Sequence, residues 1–271
     1  MGTSRGYTAP TNGNWPRLKR EVTRFGVDGS EAPDPERDSS PTLPTLPAGQ
    51  LLASYIRTYG GTIALRQGLS GGGTGTGSVG RRTRSSSIGQ SAARIGKNLG
   101  GFATRVGQVG LATALREFGL DHLIGQSAQE VVAGLIDALV GPDSTINDDL
   151  AREALCLLRR EQLAEAQTAD DVERILKETL GHVEVSGIIM QFYGHYLFAM
   201  FCRDFYERLQ LKIGPDAADR CIESVRRTIT ATLENELVGQ EVTHVDWGHL
   251  EGQELAERIL IRTFEIFEVS E

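Results

Sequence analysis

The stretch Val185–Leu211, VSGIIMQFYGHYLFAMFCRDFYERLQL, is apolar at almost every position around a helix. It contains seven of the chain's seventeen aromatic residues. These are Phe192, Tyr193, Tyr196, Phe198, Phe201, Phe205 and Tyr206. Its most apolar run, Ile188–Cys202, is about fifteen residues long and includes Gln191 and His195, so it is too short and too polar for a membrane span. A helix that is hydrophobic on every face must be covered by other elements. We therefore expect this helix at the centre of a bundle.

Helix signals flank this stretch on both sides. Ser127 and Glu130 form an S-x-x-E capping box, and Gly141-Pro142 ends the helix that they begin. Thr168 with Asp171 starts another helix in the same way. Further helices are expected at 51–67 (interrupted by Gly60-Gly61), at 147–166, from Gly214-Pro215 to Leu233, and around Leu255–Phe267. Only the short stretch Glu241–Trp247 has β-like character, so the predicted fold class is an all-α helical bundle.

The segment Ser87–Phe118 combines small residues with helical spacing. Ala92, Gly96 and Gly100 recur every four residues, which allows a second helix to approach closely. Because glycine is unfavourable within helices, we expect a helical hairpin that is broken near Gly100-Gly101 and depends on packing.

The distribution of charged residues divides the chain into two parts. Residues 1–120 carry 15 Lys/Arg and 7 Asp/Glu, whereas residues 121–271 carry 13 and 29, within a total of −8. The proline-rich residues 1–47 are expected to be a long disordered tail. Residues 48–119 form a Gly-rich basic helical segment with a flexible Gly/Ser/Arg-rich linker at 70–86. Residues 120–271 form an acidic α-helical domain.

The three cysteines and the polar amino terminus indicate the compartment. Cys156, Cys202 and Cys221 are far apart, and each lies in an apolar helical pattern. This arrangement is typical of reduced core thiols rather than of a disulfide framework or a metal site. The first residues lack the apolar segment of a signal peptide. The sequence predicts a cytoplasmic protein without a membrane anchor.

No set of residues in the sequence predicts catalysis. Gly75-x-Gly77-x-x-Gly80 matches a dinucleotide-binding motif, but no strand precedes it, so a linker is the better interpretation. His244 and His249 lie five residues apart without a third metal ligand. No nucleophile, base and orienting group recur together. We expect a protein that is not an enzyme and that holds no cofactor and no metal.

A basic cluster follows the linker. It comprises Arg81, Arg82, Arg84, Arg94, Lys97 and Arg105. Such a cluster can bind nucleic acid, although the aromatic residues lie elsewhere and the total charge is acidic, which opposes phosphate binding. The same cluster could instead dock on the acidic half of this chain or on a partner protein.

The amino terminus reads Met1-Gly2-Thr3-Ser4. Removal of Met1 ahead of the small Gly2 side chain exposes an unhindered α-amine. The reference pKa of such an amine, about 7.7–8.0, leaves a useful fraction neutral and nucleophilic near pH 7. We expect the amine to be reachable by a second enzyme because a long tail follows it.

Met1-Gly2-Thr3-Ser4, Trp15-Pro16, the Gly/Arg/Ser segment Gly71–Ser91 and the acidic helical remainder together resemble the QatB family of the bacterial four-component Qat anti-phage system. The resemblance implies three partner proteins: an ATPase, a QueC-like enzyme and a TatD-like nuclease. It also implies that the QueC-like partner joins a 7-deazaguanine group to the N-terminal glycine.

Two functional hypotheses follow. In the first, the chain is a non-enzymatic defence component in which Gly2 is modified, Thr3 and Ser4 are recognised, and Trp15 and the arginines Arg81, Arg82 and Arg84 contact partners. In the second, the chain is a nucleic-acid-binding or scaffold protein that acts through the basic segment 81–105.

Overall fold

The architecture is all-α, as predicted. The structure is a computed structural model that describes residues 13–28, 47–70, 84–142, 145–182, 185–237, 247 and 250–268. Its helices are α1 (Trp15–Asp28), α2 (Ala48–Thr58), α3 (Gly61–Ser70), α4 (Arg84–Val109), α5 (Leu111–Glu117), α6 (Ala128–Val140), α7 (Ile146–Gln162), α8 (Ala169–His182), α9 (Val185–Ile213), α10 (Pro215–Leu237) and α11 (Leu250–Glu268). Within these ranges the chain forms no strand, and only an isolated bridge joins Ser127 to Thr168.

Helix α9 is the centre of the bundle, which confirms the prediction from its sequence. It packs against α1, α4, α7, α10 and α11, and the Tyr55 side chain of α2 also contacts it. Gly214, which has a φ of 84°, turns the chain from α9 into α10, its most extensive neighbour. By length and apolar composition alone α9 could span a membrane, but 78% of its most apolar window is buried inside the fold. The surrounding helices therefore account for its hydrophobicity.

Helix α4 is continuous through Gly100-Gly101, so the predicted hairpin is wrong. The glycines are sites of close packing: a Cβ at Gly96 would lie 2.2 Å from the Tyr193 hydroxyl, and one at Gly100 would lie 2.5 Å from the Trp247 ring. Large side chains of other elements fill the space that a Cβ would occupy, which offsets the cost of glycine in a helix. The break comes at Gly110, which has a φ of 82° and separates α4 from α5.

The predicted disordered tail needs correction, because Trp15–Asp28 forms helix α1. Trp15, Leu18 and Val22 are buried and Phe25 packs against the core, at the spacing of one helical face. Pro16 is acceptable in the first helical turn, where its missing N–H has no partner to lose. The other tail residues, 1–12 and 29–46, lie outside the described residues. The predicted linker, residues 70–86, is also too long, because Ser70 is the last residue of α3 and Arg84 is the first residue of α4.

Helix caps were predicted well where the motif is local. The capping box of Ser127 and Glu130 begins α6, and Thr168 with Asp171 caps α8, as expected. A further capping box, Thr145 with Asp148 at the start of α7, was not predicted. The expected β-like stretch Glu241–Trp247 lies outside the described residues except for Trp247, which is in a turn.

Phe201→Asp tests the central position of α9. Phe201 has no exposed surface, and its ring centroid lies 5.4 Å from that of Tyr55 and 4.9 Å from that of Phe205. An unpaired carboxylate there should lower the free energy of unfolding by about 4 kcal/mol or more, measured by urea denaturation. Leu211→Asp on the same helix is the matched control, because Leu211 is 79% exposed and should tolerate the charge. Equal stability of the two variants would contradict the assignment of α9 as the core helix.

Candidate functional site

The predicted site residues fall into described and undescribed groups. Gly2, Thr3 and Ser4 precede the first described residue, and Arg81 and Arg82 lie between α3 and α4, outside the described ranges. Arg84 is the first residue of α4, and its side chain is not described. Among the predicted site residues, Trp15 is the one whose backbone and side chain are both described by the structure, so the candidate site starts from Trp15.

Trp15 anchors the amino-terminal segment to the central helix. Its side chain is buried, and its ring centroid lies 5.3 Å from that of Phe205 on α9. The ammonium of Lys19 lies 5.4 Å from the Trp15 ring centroid, within the range of a cation–π contact. Burial in the chain's own core gives Trp15 a structural role, while its predicted role in partner recognition stays a prediction.

The rest of α1 continues this contact towards the end of α9. Gly26 lies so close to α9 and α10 that a Cβ there would be 2.4 Å from the Ile213 side chain and 3.5 Å from Cys221. Leu18 and Val22 fill the space between these two ends of α1. The helix is therefore docked along α9 from Trp15 at its start to Gly26 near its end.

This docking limits how far Gly2 can lie from the body. Eleven residues, Gly2–Asn12, precede the first described residue, Gly13. At about 3.3–3.6 Å per residue, a fully extended chain of this length spans at most about 40 Å. Gly2 is thus tethered through about a dozen residues and not through the 47 residues of the predicted tail.

A buried polar network holds α2 against α9 beside the anchor. The carboxylate of Asp204, whose side chain is fully buried, accepts hydrogen bonds from the hydroxyls of Tyr55 (2.8 Å) and Tyr59 and from Nε of Arg203 (3.0 Å). Arg203 also donates to the Tyr59 hydroxyl at 3.2 Å. Burial, together with the neighbouring carboxylate, raises the pKa of Tyr55. Sequence reasoning missed this network because the two tyrosines are 144 to 149 residues away from the α9 residues that they contact.

Two arginines of the basic cluster form ion pairs with carboxylates of the same chain. Arg94 donates to Asp148 (2.8 Å) and to the carbonyl of Val140 (2.9 Å), and Arg105 is paired with Glu117. Burial of Asp148 opposes its ionisation, but hydrogen bonds from Thr145 and the charge of Arg94 prevail and lower its pKa. The suggestion that the basic cluster docks on the chain's own acidic half is confirmed for Arg94 and Asp148.

The titratable residues elsewhere show no metal geometry in the described part of the chain. No three His, Cys, Asp or Glu side chains there are grouped to hold an ion. Cys156, Cys202 and Cys221 are free thiols, and burial raises the pKa of Cys221 to about 11. The Cys221 thiol is therefore protonated and unreactive at neutral pH, in agreement with the core role predicted for it, while Cys156 and Cys202 are half-buried and pack against the core.

Comparison with known families identifies the chain. Residues 79–267 match the family described as Qat anti-phage system associated protein QatB. The chain belongs to the QatB family. Searches of curated proteins and of solved structures found no match. The QatB match covers α4–α11, including the central α9 and the Arg94–Asp148 pair, and begins after α1–α3. In this QatB-family chain the anchor helix α1 therefore lies outside the matched region but docks on Phe205 within it.

Trp15→Ala should release α1 from the bundle. Truncation of a buried Trp costs about 3 kcal/mol or more, which should exceed what the remaining contacts of a 14-residue helix provide. Trypsin should then cut after Arg20 and Arg24 under native conditions, as read by mass spectrometry. Arg17→Ala on the exposed face of α1 is the control and should leave both sites protected. Equal protection in Trp15→Ala would show that Trp15 is not the anchor.

Asp148→Ala should destabilise the fold in a pH-dependent manner. At neutral pH it removes the N3 carboxylate of the capping box with Thr145, which costs about 1 kcal/mol, and it also leaves Arg94 without its carboxylate. Because folding lowers the pKa of Asp148, its contribution is present above the unfolded pKa of about 3.9 and is lost as pH falls further. Urea denaturation should show the difference from the parent at pH 7 and its decrease towards pH 3. Asp149→Ala, at the exposed neighbouring position, is the control and should change the free energy of unfolding at pH 7 much less than Asp148→Ala does.

Proposed function

We propose that this chain is the non-enzymatic component of a Qat anti-phage system whose Gly2 α-amine, exposed after removal of Met1, is the acceptor of a 7-deazaguanine group. The donor enzyme is the QueC-like partner, and the reaction takes place in the cytoplasm. Membership of the QatB family supports the defence role and the presence of other Qat components as partners. The ATPase and the TatD-like nuclease are the further partners that we propose.

The docking of helix α1 is the structural observation that supports Gly2 as the acceptor, in addition to the family match. The helix holds Trp15 in the core, and the segment 1–12 precedes the described body. Gly2 therefore lies within about 40 Å of Gly13, and the bundle does not have to unfold to present it to a partner. Glycine has no side chain to obstruct attack by its amine. We propose that Thr3 and Ser4 are read by the partner beside the acceptor.

The arginines Arg81, Arg82 and Arg84 are proposed to contact a partner protein. They precede or begin α4, at the start of the region that matches the family. The alternative, nucleic-acid binding through the segment 81–105, is less well supported. Arg94 and Arg105, the two arginines at its far end, are already paired with Asp148 and Glu117, so fewer cations remain for phosphate.

Gly2→Glu tests the proposed acceptor. The substitution retains Met1 and places a charged side chain at the acceptor position, so the mass added to the chain in the presence of the QueC-like partner should disappear. Asn12→Glu introduces the same charge at the other end of the segment and should be modified normally. Thr3→Ala and Ser4→Ala should give partial losses, because they alter recognition and not the nucleophile. Intact-mass measurement of chains purified with and without the other three components provides the readout.

Two outcomes would contradict the proposal. One is full phage protection by a chain that carries a permanent N-terminal extension, since its Gly2 amine is no longer terminal. The other is loss of nucleic-acid binding and of protection in the Arg81→Ala, Arg82→Ala, Arg84→Ala triple variant while the mass of the chain never changes. The second result would favour the nucleic-acid alternative.

A further inference from the structure

A cavity of about 330 Å³ lies between α7, α9 and α10, away from α1. Glu161 of α7, His195 of α9 and Arg226 of α10 line it together with apolar side chains. This volume is at the lower end of the range for small-molecule sites. Neither the anchor of the amino terminus nor the α2–α9 network uses any of these residues.

His195 presents an unsatisfied nitrogen to this cavity. The residue is 5% exposed, and its Nε2 lies 3.0 Å from Oε2 of Glu161. The two atoms are close but poorly aligned for a hydrogen bond, so the buried Nε2 is incompletely satisfied. Burial lowers the pKa of His195 despite the opposing effect of Glu161, which keeps the imidazole neutral at pH 7. A neutral imidazole accepts at its unprotonated nitrogen, so His195 and Glu161 can present two acceptors side by side.

The charges around the cavity favour a cation. Glu161 and Glu234 are its acidic lining residues, and Arg226 is the basic one. The Arg226 guanidinium donates to Glu223 at 2.9 and 3.1 Å and also to Glu161 at 3.4 Å, so its charge is shared between the two carboxylates. Glu161 and Glu234 are two carboxylates against this one guanidinium, which leaves the lining with an excess of negative charge.

The remaining lining is suited to an apolar body. Phe198, Ile229 and Leu233 are buried, and each lines the cavity. Gly194 lets the Leu233 side chain pack close to α9: a Cβ there would lie 2.3 Å from it, so this apolar side chain would have to shift. A flat hydrophobic group can lie against these side chains while its polar end reaches Glu161 and His195.

We propose that this cavity binds a small organic cation of the amidinium or guanidinium class, carried on a flat apolar body. The two or more N–H donors of the charged head point to the Glu161 carboxylate and to Nε2 of His195. The apolar body lies against Phe198 and Leu233. Planar heads of this kind match a carboxylate with two parallel hydrogen bonds. This site is independent of the proposed modification of Gly2.

Benzamidine is the probe that tests the site. Calorimetric titration of the full chain should give saturable one-to-one binding, and the NMR signals of the His195 ring should shift with the same dissociation constant. Benzamide has the same shape without the charge, and benzoate reverses the charge; both should bind at least tenfold more weakly. Glu161→Gln should weaken benzamidine at least tenfold, while Glu153→Gln, at an exposed position of the same helix outside the cavity, should leave its affinity unchanged.

A second variant separates the charge of the site from its fold. Glu234→Gln also removes an acidic lining residue and should weaken benzamidine less than Glu161→Gln does, because Glu161 is the carboxylate beside His195. Urea denaturation of each variant checks that the bundle is intact. The proposal is overturned if benzoate or benzamide binds as tightly as benzamidine, if no saturable binding is seen, or if Glu161→Gln and Glu153→Gln have the same affinity.

Discussion

The burial of α9 on every side is the constraint on which the rest of the structure depends. A helix of 29 residues, sixteen of them buried, has no solvent-facing stripe along its first half, so neighbours must surround it. Helices from both ends of the chain supply this cover: α1 and the Tyr55 side chain of α2 from the amino-terminal part, and α10 and α11 from the carboxy-terminal part. Helices that are far apart in the sequence therefore come together around α9 and shield its aromatic residues from water.

Buried polar groups fix the positions of the helices that surround α9. Asp204 and Asp148 are carboxylates in buried positions, and each is compensated by a guanidinium and by hydroxyl or backbone donors. An unpaired buried charge is costly, so these pairs allow few alternative arrangements of the helices that they join. Asp204 fixes α2 on α9, and Asp148 fixes the start of α7 on α4. Both contacts link the basic first part of the chain to the acidic second part, although the two parts differ sharply in composition.

The sequence predicted the features that depend on local chemistry. The apolar α9, the Gly214-Pro215 turn and the capping box of Ser127 with Glu130 are each determined by residues close together in the chain. Helix α1 was missed because the surrounding prolines and polar residues dominate the average composition, while four apolar positions suffice to dock fourteen residues. Gly100 was misjudged as a break because its partner, Trp247, comes from a distant segment. At the candidate site, Trp15 was singled out for its type, but its burial against Phe205 depends on tertiary structure.

The docking of α1 also sets a local concentration. An amine that cannot move further than about 40 Å from Gly13 occupies a volume equivalent to a millimolar solution around the bundle. Under the proposed function, an enzyme bound to the helical body would therefore meet the Gly2 amine at that concentration, whatever the cellular level of the protein. Weak recognition of two or three terminal residues would then be sufficient for reaction, and contact with the body would supply specificity. Lengthening the segment ahead of α1 dilutes the amine without altering any of its contacts.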